Sequence, residues 1–84
     1  MTSAYHLQEW RNHRDANAQR IKTLAYEIRT AAQVFDVDTV WRLAGELDNA
    51  CGEYKRSLKP IVEWEGIVAM EAASPAVGEG DDGR

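Results

Sequence analysis

Stepping by alternate threes and fours from Leu7 lands on Leu7, Trp10, Arg14, Asn17, Ile21, Leu24, Ile28, Ala31 and Phe35, and seven of these nine residues are apolar. The same walk from Val37 meets Val40, Ala44, Leu47, Cys51, Tyr54, Leu58, Ile61, Glu65, Val68 and Ala72, with Glu65 as the one charged interruption. A 3.5-residue repeat held over this length predicts helices packed side by side. Period-two alternation never runs long enough to compete, so the fold class is all-α.

Helix ends follow from side chains that can satisfy unpaired backbone groups. Ser3 is placed to cap a first helix over 4–35, and the oxygens of Asp36-Val37-Asp38-Thr39 lie where a second must begin. A turn at 36–38 is short enough to make the second helix, 39–73, an antiparallel neighbour of the first. Folding there sets Trp10 beside Trp64, Ile21 near Cys51 and Ile28 near Ala44. Pro60 lacks an N–H and clashes one turn back, which predicts a kink or a short third helix at that point. Ser74-Pro75 is read as the stop, leaving 74–84 as a disordered acidic tail after a single hairpin domain over 1–73.

Charge sharpens this picture. Residues 1–35 carry five Lys/Arg against three acids, whereas residues 36–73 carry four against eight. The halves complement one another, which favours contact between them over a basic nucleic-acid-binding stripe. No apolar run is long enough to span a bilayer, and the one cysteine, Cys51, forms no internal disulfide; a cytoplasmic location is expected. With no disulfide or metal to stabilise so small a chain, self-association is the expected support.

Both helices are apolar over a wider arc than one seam uses. Ala18, Ala25 and Ala32 recur at seven-residue spacing beside the first seam, Leu43 and Trp64 lie beside the second, and Trp41 and Val62 lie on its opposite flank. These residues are the candidate partner interface, occupied either by a second copy, giving a four-helix bundle, or by another protein. Arg14, Asn17 and Tyr54 are expected to form a polar layer across the seam that fixes its alignment. Gly45, Gly52 and Gly66 share one stripe; with Lys59 among them, tolerance on an exposed face is the simpler reading than close docking of another backbone.

Candidate chemistry adds little. His6, Glu9 and His13 share a side of the first helix but read as solvated flank residues, and Cys51 as a small buried hydrophobe. Neither a phosphate-binding glycine loop nor a paired-carboxylate pocket is present, so no catalytic residue, cofactor or metal is assigned. Trp64-Glu65-Gly66 resembles the W-x-G tripeptide of the WXG100 family of small helical-hairpin secretion substrates. In that family it sits in the central turn and a Y-x-x-x-D/E signal follows. Here it lies far down the second helix without that signal, and no membership is drawn.

The function expected is a non-enzymatic protein–protein interaction module that binds and modulates another protein as a homodimer. A phage- or mobile-element-encoded inhibitor and a structural or assembly subunit are the alternatives.

Overall fold

A computed structural model describes the backbone of residues 2–78 and the side chains of residues 2–73. Two helices, α1 (Ser3–Gln33) and α2 (Val37–Gly78), pack against each other as an antiparallel hairpin about 71 Å long and 17 Å wide. At 1.5 Å rise per residue α1 spans about 46 Å and α2 about 63 Å, so α2 overhangs the open end.

The first cap lies one residue earlier than expected. Thr2 has extended backbone angles and its side-chain oxygen accepts from the Tyr5 N–H at 3.1 Å. Ser3 is already helical, and its hydroxyl donates to Glu71 Oε2 at 2.6 Å across the hairpin. The turn lies at Val34–Asp36 rather than 36–38. The Phe35 N–H bonds the Ala32 carbonyl at 3.1 Å and the Asp36 N–H the Ala31 carbonyl at 3.0 Å. This is a Schellman closure, which needs its penultimate residue left-handed, and Phe35 takes φ 58° there. Asp36 then starts α2 at once: its carboxylate accepts from the Thr39 N–H at 3.3 Å and the Thr39 hydroxyl at 2.7 Å. These bonds, the hydroxyl's first, hold its pKa below the ordinary value.

Helix α2 runs through Pro60 without interruption, and no third helix begins there. Ser57 and Ile61 are buried on either side of it, so contact with α1 is kept across the missing N–H. The helical backbone also passes Pro75 to Gly78, beyond the expected stop. Of the expected tail, 79–84 lie outside the described residues.

The seam of α1 is the one its periodicity predicts from Leu7 to Ala31; each of those eight residues is buried or half-buried, and Phe35 alone leaves it for the turn. The seam of α2 is rotated from expectation. It follows Val40, Leu43, Leu47, Ala50, Tyr54, Ser57, Ile61, Trp64 and Val68, so that Ala44, Leu58 and Glu65 are exposed and Cys51 is only half-buried. The two walks share every second residue and differ by a rotation of about 50°, half of one 100° step. The expected face would bury the Glu65 carboxylate, which costs several kcal/mol unless fully paired. The observed face carries Glu65 to the rim, where it meets Arg11 at 3.1 Å, and brings in Leu43 and Ala50 to pack with Leu24, flanked by Ile21, Ile28 and Leu47. Its one polar cost is Ser57, 0 % exposed, whose hydroxyl donates to the Tyr54 carbonyl at 2.6 Å.

Candidate interaction surface

The rotation of α2 gives the hairpin two unlike long edges. On one, bases of α1 meet acids of α2: His13 Nε2 lies 3.6 Å from Glu53 and Arg20 3.7 Å from Glu46. Within α2, Arg56 and Arg42 join the same acids at 2.6 and 3.1 Å. The Arg56 hydrogen bond is the main reason the Glu53 carboxyl lies below its ordinary pKa, with His13 adding to it. This edge realises the charge complementarity of the two halves.

The other edge carries Arg11–Glu65 near the open end and is otherwise small and apolar. Ala25 and Ala32 of α1 are exposed along it and Ala18 is half-buried, opposite Ala44, Cys51 and Leu58 of α2. Beyond it, on the outward side of α2, Trp41, Asp48, Lys55 and Val62 recur every seven residues and therefore form one stripe. Trp41 is 85 % exposed and Val62 67 %. The stripe ends at the turn, where Val34, Phe35 and Val37 are also exposed, Phe35 to 84 %. A left-handed residue that closes a helix is usually Gly; here the position projects an aromatic ring into solvent.

Trp41 and Val62 thus lie on a free flank, but Leu43 and Trp64 do not. Leu43 is buried against Leu24, and Trp64 is half-buried with its ring stacked on His6 at 4.8 Å and 23°. Trp10, expected beside Trp64, instead meets His13 edge-on at 5.9 Å. Arg14, Asn17 and Tyr54 are all half-buried near the seam. Their bonds run within their own helices rather than across: Arg14 to Asp15 at 3.0 Å, Asn17 to the His13 carbonyl at 3.1 Å, and the Tyr54 carbonyl to Ser57. The side chain that reaches across to Glu65 is Arg11. Phe35 as a surface residue escaped the sequence reading. Phe35 fell in phase with the seam, and its position just before an Asp cap was the available signal.

An open groove of about 580 Å³ lies beside the turn, lined by Tyr26, Thr30, Val34, Thr39, Arg42 and Glu46. Among the described residues, no group of three or more His, Cys, Asp or Glu side chains is arranged to hold a metal ion, and no helix is long and apolar enough to cross a membrane. No family model, curated protein or solved structure matches this chain.

Proposed function

We propose that this chain is a non-enzymatic protein-interaction module that works as a homodimer and binds and modulates another protein through its turn. The carrying observation is the pair Val34 and Phe35, 72 % and 84 % exposed at one end of the rod. Burying a side chain of this kind is worth about 1.5–3 kcal/mol, so the two together make an anchor of ordinary hot-spot strength. Phe35 is held out by backbone hydrogen bonds rather than by a flexible loop, which lowers the ordering cost of binding. Catalysis has less support. The carboxyls with displaced pKa values, Asp36 and Glu53, are engaged in a helix cap and an ion pair, and neither faces an enclosed cavity.

The test is photo-crosslinking in source cells with a photoreactive phenylalanine analogue at Phe35, compared with the same analogue at the exposed Gln19 of α1. A discrete adduct with a different protein, formed from position 35 and not from 19, is expected. Identical labelling from both positions would remove the turn as the binding site.

A further inference from the structure

We propose that the outward face of α2 docks against the same face of a second copy, antiparallel, with the two-fold axis passing between Cys51 and Gly52. This rests on the reading of the apolar surface as an association surface, and it names the occupant of one part of it. The stripe Trp41, Asp48, Lys55, Val62 reads apolar, acid, base, apolar, and is therefore its own complement when reversed. Laid on a second copy about that axis, Trp41 meets Val62 of the second copy and Asp48 meets its Lys55, each pair occurring twice. Isologous interfaces require this self-complementarity. A parallel alignment would instead set Asp48 on Asp48 and Lys55 on Lys55, and like charges directly opposed disfavour it. All four residues are exposed, and among the described residues neither Asp48 nor Lys55 has an ion-pair partner, whereas Glu46 and Glu53 on the other edge are already engaged.

The glycines fit the same alignment. Gly45, Gly52 and Gly66 run along one flank of the stripe, and the two-fold axis sets this flank against the same flank of the second copy, with Gly52 nearest its own counterpart. Within the hairpin, a Cβ at Gly45 or Gly66 would meet nothing within 4 Å, and one at Gly52 would meet only the flexible end of Arg56. Intrachain packing therefore gives no reason for glycine on this flank, whereas close approach of a second backbone does. From Trp41 to Val62 the contact runs about 32 Å along the helix. Phe35 and Val34, in the turn, lie outside this paired stretch.

Light scattering across a concentration series on the full chain tests this, with Asp48→Lys, Lys55→Asp and the double substitution beside the unchanged protein, and circular dichroism as the check on helicity. The expected result is a dimer whose dissociation constant rises roughly tenfold or more with either single reversal and returns to within about threefold of the original in the double variant. A monomer at every concentration would overturn the second copy as occupant while leaving the turn's binding role to its own crosslinking test. A dimer indifferent to both single reversals would overturn this alignment.

Discussion

The ion-paired edge and the outward face of α2 belong to the same helix but do different work. Along the edge, acids of α2 are matched to bases of α1, and each side chain has its partner inside the chain. Along the outward face, Trp41 and Val62 are as apolar as anything in the seam yet remain largely exposed. The difference shows that exposure, not hydrophobicity, separates residues that hold the hairpin from residues available to a partner. Leu43 and Trp41 are two positions apart on one helix and fall on opposite sides of that division.

The largest effect expected from breaking this contrast is in the seam. Leu24→Ala should cost about 2–5 kcal/mol in chemical denaturation, because Leu24 is buried against Leu43 and Ala50. Trp41→Ala, measured well below the dimerisation range, should stay within about 0.5 kcal/mol. Equal losses at both positions would erase the distinction. Next comes the turn: Phe35→Gly should stabilise the chain by about 1 kcal/mol while weakening binding to the protein captured by crosslinking, since glycine takes a φ of 58° without a Cβ clash. A loss of stability would show that the ring is held by the fold and not merely presented by it.

Smaller still is the edge. Glu46→Gln should change stability by no more than about 0.5 kcal/mol, an effect that fades with added salt, because Arg20, Arg42 and Glu46 are all more than a third exposed. The smallest effect is titration at the acid end. Asp36 and Glu53 have folded-state pKa values depressed below 3.8 and 4.5, so their contribution is complete above those values and is lost as pH falls through the lower folded ones. Asp36→Asn keeps a capping oxygen and should remove part of that acid-side slope in melting temperature.

Much of the candidate surface was legible by counting in sevens, which places Trp41 with Val62 and sets Ala18, Ala25 and Ala32 in line. Leu43 and Trp64 were misplaced because α2 is apolar over more than a third of its circumference, and any face within that arc satisfies a 3.5-residue repeat. Phe35 was misassigned for a related reason. Periodicity carries no record of where the backbone turns left-handed, and an aromatic residue is not the usual occupant of that position.

Local physical chemistry, written in the sequence, determines that there are two long helices, that they are antiparallel across a short turn capped by Asp36, and that the basic half lies on the acidic one. These outcomes depend on neighbours within a few residues or on summed charge. Only the tertiary structure decided the rotation of α2 about its axis, and with it which apolar residues are spent on the hairpin and which remain outside. That choice compares the burial of Leu43, Ala50 and a hydrogen-bonded Ser57 with the desolvation of Glu65, and the comparison exists only once α1 is in place to bury one set or the other.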